Sequence, residues 1–341
     1  MYVTANDKAT FGQPFDLSTI PIVTREQADA EDRTKKLTTA TPTLKAPTTG
    51  PTKAAAPSSA EAAASASAAA QKYTQELLKI PELRSFGTVL KSSPLVELTE
   101  SETEYVVGAV KHIFKEHIVL QFDVKNTLQD TILEDVSVVA TPSEDSEEDP
   151  ELEEDFIIPA AKLATNEPGT VYVSFKRLHG EKSFPVSSFT NVLKFTSKEI
   201  DPTTGEPEER GYDDEYQVED LELTGSDYVI PAFAGSFNHV WEQVGANGDS
   251  AEETMQLSSV KSIADATEQL AKALSLQPLE GTDIPVNTTT HTLKLFGRTV
   301  SGGRVVATVK MAYSSKSGVT MKISTRAEEE GVAALVIASV A

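Results

Sequence analysis

The sequence predicts a mostly β protein in three parts: a disordered linker, an antiparallel β-sandwich, and an α+β unit in which helices pack on an antiparallel sheet. Three observations carry the prediction. Apolar and polar residues alternate with period two through much of 105–224. After Gly225 the period lengthens to that of a helix before alternation returns. Between Ala40 and Ala70, Leu44 is the only apolar side chain beyond alanine and proline. The parts are expected at 1–75, 76–224 and 225–341.

Residues 1–75 cannot bury enough apolar surface to offset the entropy of ordering, so they read as a tether. A short helical lead, QKYTQELLKIPEL, opens the second part. Strands follow at Tyr105–Ile113, His117–Lys125, Ile132–Ala140, Thr170–Lys176, Phe189–Thr196 and Tyr216–Thr224. In the second of these, Ile118, Leu120, Phe122 and Val124 fall on one face and Gln121, Asp123 and Lys125 on the other. That pattern predicts a sandwich with one wet face per sheet, and polar loops at 141–155 and 198–215.

In the third part, Phe237, Val240, Trp241 and Val244 stand at i, i+3, i+4 and i+7, one face of a helix. A longer helix is expected over Leu257–Leu276, with Ser258 or Ser259 as N-cap. Strands are expected at Thr292–Arg298, Arg304–Tyr313, Val319–Arg326 and Val332–Val340, with turns at Gly302-Gly303 and Ser317-Gly318. Two helices then cover the sheet.

Charge and composition narrow the function. The chain has 341 residues, no cysteine and a formal net charge of −22. Without cysteine there is no disulfide framework, thiol chemistry or thiolate metal site. Two acidic stretches, Ser143–Asp155 and Glu199–Glu222, hold 20 of the 52 acids and one of the 30 bases. The remainder is close to neutral. No dense basic patch with interleaved aromatics is present, so nucleic acid is not the expected partner. No window approaches the roughly 18 apolar residues of a membrane span, and the first ten residues lack a secretory pattern, so a cytosolic protein is expected. One local excess runs the other way. Between Ile284 and Ala327 lie Lys294, Arg298, Arg304, Lys310, Lys316, Lys322 and Arg326, with no acid among them.

Nothing in the sequence marks an active site. Nucleotide-binding glycine patterns, a nucleophile elbow and H-E-x-x-H are all absent. His112, His117, His179, His239 and His291 are scattered, and the Asp201–Gly205 turn lacks the alternating oxygen ligands of a calcium loop. The expectation is a non-enzymatic protein with no cofactor, no metal and no small-molecule substrate.

A series of motifs in order resembles the appendage, or ear, of the coatomer gamma subunit family of the COPI vesicle coat. They are KSSP (Lys91–Pro94), LTESETEYVV (Leu98–Val107), DPTTGE (Asp201–Glu206), GYDDEY (Gly211–Tyr216), VEDLEL (Val218–Leu223), FNHVWEQVG (Phe237–Gly245), THTLKL (Thr290–Leu295) and IASVA (Ile337–Ala341). PFDL (Pro14–Leu17) resembles the hinge before that ear, and the helical trunk expected upstream is absent, as in a fragment. The resemblance implies an immunoglobulin-like sandwich followed by a platform subdomain similar to clathrin-adaptor ears. It implies a protein-docking surface for an Arf GTPase-activating protein, contacts to other coatomer subunits, and peripheral association with Golgi membrane on the cytoplasmic side. The family's F-x-x-x-W site is matched by Phe237 and Trp241.

An i, i+4 aromatic pair serves core packing more often than docking, but tryptophan is also the commonest hot-spot residue. Alternation puts Arg304, Lys310 and Arg326 on the sheet face opposite Val305, Val309 and Ile323. The expected site is a groove with Trp241 as anchor, Phe237 behind it, and Lys310, Arg326 and Arg304 as a basic rim for an acidic, aromatic peptide. An architectural contact to other coat subunits and an electrostatic membrane-facing surface are the alternatives.

Overall fold

The structure, a computed structural model, describes residues 73–143 and 150–340. The linker expected over 1–75 lies almost wholly outside the described residues, as does the centre of the first acidic stretch. The described part is mostly antiparallel β.

Ten strands build the sandwich: β1 (Lys91–Ser92), β2 (Val96–Glu97), β3 (Tyr105–Ile113), β4 (His117–Asn126), β5 (Thr131–Pro142), β6 (Leu152–Ile158), β7 (Ala160–Leu163), β8 (Pro168–Arg177), β9 (Ser187–Glu199) and β10 (Tyr212–Leu223). One sheet runs β1-β3-β4-β8-β6 with β2 also on β3, and the other runs β10-β9-β5-β7. The inward residues Ile118, Leu120, Phe122 and Val124 of β4 are fully buried with Leu133, Val138, Phe189 and Leu193 of the facing sheet. Alternation alone put these side chains inside.

The outer face of β4 is drier than its alternation implies. Val119 is buried in a second cluster with Leu77, Leu83 and Phe114, and Gln121 is buried as well. The lead into the sandwich, helical at 73–77 and again as a 3-10 turn at Glu82–Phe86, carries its own apolar side chains and lays them on that face. Phe86 stacks on the His117 ring at 3.8 Å. The polar loops expected at 141–155 and 198–215 also give up residues to strands. β6 begins at Leu152, and β10 carries Asp213, Asp214 and Glu215 at the margin of its sheet. Charge on an edge strand discourages pairing with another chain.

The second subdomain contains β11 (Val229–Pro231), α1 (Phe237–Asn247), β12 (Asp249–Leu257), α2 (Ile263–Ala273), β13 (Gln277–Pro278), β14 (Thr290–Thr299), β15 (Arg304–Ser314), β16 (Gly318–Ala327) and α3 (Val332–Ala338). Its sheet runs β11-β14-β15-β16-β12, with β13 also on β14. α2 and α3 cover one face through Ile263, Leu270, Val332 and Val336. α1 covers part of the other through Phe237, Val240 and Val244 against Phe296 and Val306.

Two expectations fail here. Leu257–Leu276 is not one helix: 249–257 is strand β12, and α2 starts only at Ile263, capped by Ser262, whose hydroxyl accepts from Asp265 N at 3.0 Å. Ser258 and Ser259 lie before the cap. β12 (DSAEETMQL) is largely polar, so its alternation gives little signal. Val332–Val340 is not a strand but the helix α3, so three helices rather than two pack on the sheet. A short apolar run cannot be assigned by periodicity. Tertiary context decides it, because β16 is already paired on both sides, by β15 and by β12. Gly331 at φ +79 turns the chain, and Val332, Ala333, Val336 and Ile337 then share one buried helical face.

The subdomains meet at the 3-10 turn Gly225–Tyr228. Lys111 Nζ reaches Asp227 Oδ2 and Glu222 O, both at 2.6 Å, in a buried ion pair. Lys91 Nζ donates to Ser226 O at 2.6 Å and Val229 O at 2.5 Å, and burial lowers its pKa to about 8. Tyr228 is fully buried, donates to Pro185 O at 2.6 Å, and lies under the Arg177 guanidinium. A side chain at Gly225 would fall on the main chain of Leu335.

Candidate functional site

α1 sits on the sheet with its Trp241 edge toward solvent. Phe237, Val240 and Val244 are buried, whereas Trp241 is only partly so. The helix needs Trp241 at that edge because i+4 from Phe237 is one turn on, beside the seam rather than in it. The two rings stack at 5.6 Å between centroids and 24° between planes.

Cations from two different strands reach these rings. Lys294 of β14 holds its ammonium 5.3 Å from the centre of the Phe237 ring, and Arg326 of β16 holds its guanidinium 4.2 Å from that of Trp241. The sequence Lys294–Phe237–Trp241–Arg326 is therefore a continuous cation–π and ring-stacking ladder across the sheet. Arg326 Nη1 also donates to Trp241 O at 2.8 Å. Gly245, one turn after Trp241, has no Cβ to obstruct that guanidinium.

The helix start is held from outside. Ser236 makes no side-chain cap bond, and the Phe237 N–H instead donates to Glu280 Oε1 at 3.1 Å. The other oxygen of Glu280 binds Lys294 Nζ at 2.6 Å. The Lys294 hydrogen bond, then the bond from Phe237 N, hold the Glu280 carboxyl below its ordinary pKa.

The expected site residues do not all converge. Phe237, Trp241 and Arg326 form one cluster. Arg304 joins the same helix through Gln243 Oε1 at 2.8 Å, but its guanidinium is otherwise paired with Glu328 at 2.7 Å. Lys310 is exposed on the same sheet face but stands four residues along β15 from Val306, about 14 Å at the rise of a strand. It lies opposite Lys322. The basic rim is also more neutralised than the sequence suggests. Lys294 pairs with Glu280 and Lys322 with Glu252, and both acids lie outside the acid-free stretch 284–327.

Sequence reasoning missed two participants. Lys294 could have been found, since it shares strand parity with Phe296 on the helix-bearing face. Glu280 lies in a loop with no pattern to mark it.

The five histidines do not gather. His112 is buried between Ser92 Oγ at 2.7 Å and Gln121 Oε1 at 3.1 Å, and burial lowers its pKa to about 4. Among the described residues no cluster of three or more potential metal ligands occurs, and no helix is long and apolar enough to cross a membrane.

Comparison with known proteins identifies the family. Residues 71–224 match the model of the coatomer gamma subunit appendage platform subdomain, and residues 226–340 match the coatomer subunit gamma-1 C-terminal appendage platform. The chain belongs to the coatomer gamma appendage family. It is 39% identical over 334 residues to a probable coatomer subunit gamma of Schizosaccharomyces pombe, covering 97% of this chain and 35% of that protein. Coatomer subunit gamma-1 of Mus musculus is 36% identical over 330 residues, 96% of this chain and 35% of the relative. Coatomer subunit gamma-2 of Oryza sativa is 36% identical over 317 residues, 93% and 33% respectively. The chain thus spans about a third of the length of these relatives.

Proposed function

We propose that this chain is a protein-docking module of the COPI vesicle coat, acting without catalysis on the cytoplasmic side of Golgi membranes. Its α1 face binds accessory factors, notably an Arf GTPase-activating protein, while the rest of the coat complex supplies the other coatomer contacts. Family membership supports the coat role. The observation that carries the docking role is the partly exposed Trp241, stacked on Phe237 and backed by Arg326. A large rigid ring, held in place before a partner arrives, gives contact area at little entropic cost.

The pairing of the basic residues bears on the membrane alternative. Lys294, Arg304 and Lys322 are each bound to a carboxylate and Arg326 packs on an indole, which leaves Arg298, Lys310 and Lys316 as the cations of that stretch with no carboxylate partner among the described residues. Three such cations fall short of the cluster of about four to eight that reads as lipid-binding, so docking to protein is the better fit.

Trp241 is the sole tryptophan, which makes the test direct. Its emission should move to the blue, and quencher access should fall, when an Arf GTPase-activating protein fragment is titrated in. Trp241→Ser should abolish that binding in a chain whose far-ultraviolet spectrum is unchanged. Undiminished binding by a correctly folded Trp241→Ser chain sinks the proposal.

A further inference from the structure

Among the sheet margins of the described residues, β12 is the one that is both long and regular. β1, β2 and β13 have two residues each, β11 three and β7 four. β6 and β10 carry register shifts, between Glu154 and Phe156 and between Val218 and Leu221. β12 instead runs nine residues without a shift, from Asp249 opposite Ala327 to Leu257 opposite Val319, and has neither proline nor lysine. Its one guard is its carboxylates, which repel a like-charged strand but not a basic one, so a long regular edge of this kind is a template for a strand that neutralises them.

The ladder shows which main-chain groups are on offer. Glu328 N donates to Arg304 O at 3.0 Å, and Tyr313 N to Thr289 O at 2.7 Å. These bonds fix the alternation, so even-numbered residues of β16 bond β15 and odd-numbered ones bond β12. Along β12 the odd residues therefore face β16, and Ser250, Glu252, Thr254 and Gln256 aim their N–H and C=O groups away from the sheet. The Ser250 N–H is taken by Asp249 Oδ1 at 2.8 Å. No described residue bonds the main-chain groups of Glu252, Thr254 or Gln256.

The side chains say what would fit. β12 holds Asp249, Glu252 and Glu253 and no base. Lys322 neutralises Glu252 at 2.5 Å, but Asp249 and Glu253 have no cationic partner among the described residues. Both share the parity of Ala251 and Met255, which pack toward the α2 and α3 layer. We infer that β12 is a strand-addition site for an extended segment of a partner protein bearing lysine or arginine opposite Asp249 and Glu253. A second copy of this chain is disfavoured, since pairing two β12 strands brings six carboxylates and no base to one seam. The site lies on a different margin from Trp241 and does not depend on the docking reading above.

The test is residue-resolved hydrogen exchange on the full chain with two peptides of β12's length, one alternating valine with lysine and one valine with glutamate. The lysine peptide should slow exchange at the amides of Glu252, Thr254 and Gln256 by about tenfold or more, and the glutamate peptide should not. Thr254→Pro should abolish the slowing while the β16 amides stay protected, because the lost N–H faces away from β16. Independently, Asp249→Lys with Glu253→Lys should exchange the preference, so that the glutamate peptide protects. The inference is overturned if neither peptide slows these amides, if both do so equally, or if the slowing survives Thr254→Pro. It is also overturned if protection appears on raising the protein concentration without peptide, which would give the edge to a second copy.

Discussion

His112 shows how one buried side chain sets a pH limit. Burial lowers its pKa to about 4, while in the unfolded chain it titrates near 6.5. Between those values the unfolded chain takes up a proton that the folded chain does not, so stability falls as the pH drops from 6.5 toward 4. The loss amounts to about 3 kcal/mol across the window. Urea unfolding of the chain and of His112→Gln at pH 7 and pH 4.5 should show a steeper loss where the histidine is present, the remainder coming from groups such as His117, whose pKa burial also lowers. Arg326 makes a different residue-scale case. From sequence it is expected on the basic rim of the groove; in the structure its guanidinium packs on Trp241 itself and bonds that residue's carbonyl. Arg326→Met should leave the fold intact yet raise quencher access to Trp241, because the cation that fixes the indole is gone. An unchanged quenching constant would show that the ring is held by Phe237 alone.

Elements were legible in proportion to how strongly one face is buried. β3 is recovered with its bounds, and β4 differs by one residue at its end, because β3 is buried along nearly its whole length and the apolar positions of β4 repeat at period two against a full core. β12 escaped notice because three carboxylates occupy a nine-residue strand and the burial on one side is only partial. α3 was misread because seven apolar residues satisfy a strand pattern and a helix pattern equally. α2 illustrates what a cap decides. Its start depends on Ser262, whose hydroxyl accepts from Asp265 N, rather than on the serines at 258 and 259. Ser262→Ala should destabilise the chain by about 1 kcal/mol, whereas Ser259→Ala should be nearly neutral. Chemical denaturation of the two variants distinguishes them.

At the scale of the molecule the buried Lys111–Asp227 pair ties the subdomains together. Removing one partner strands a charge, so Lys111→Met should cost about 3–5 kcal/mol. Lys111→Met combined with Asp227→Leu should recover part of that loss, since no buried charge is then left alone. Calorimetry of both variants checks the order. Recovery is expected to be incomplete, because Asp227 Oδ2 also accepts from Thr224 N at 2.9 Å and helps shape the connecting turn. A single cooperative transition is expected for the native chain, for Tyr228 and Phe184 bring the two cores into contact at that turn.

By itself the sequence determined the mostly β fold, the faces that become core, and the helix bearing Phe237 and Trp241. Each follows from local periodicity against a buried surface. The tertiary structure alone decided where charges find partners. Glu280 meets Lys294 from 14 residues away, and Glu252 meets Lys322 across a strand pair whose register the sequence does not state. It also decided the identity of α3, because only the assembled sheet shows that both sides of the preceding strand β16 are already taken, by β15 and β12, so that Val332–Ala338 cannot pair back onto it. Long-range pairing depends on register and topology, and neither is encoded in the period of a short segment.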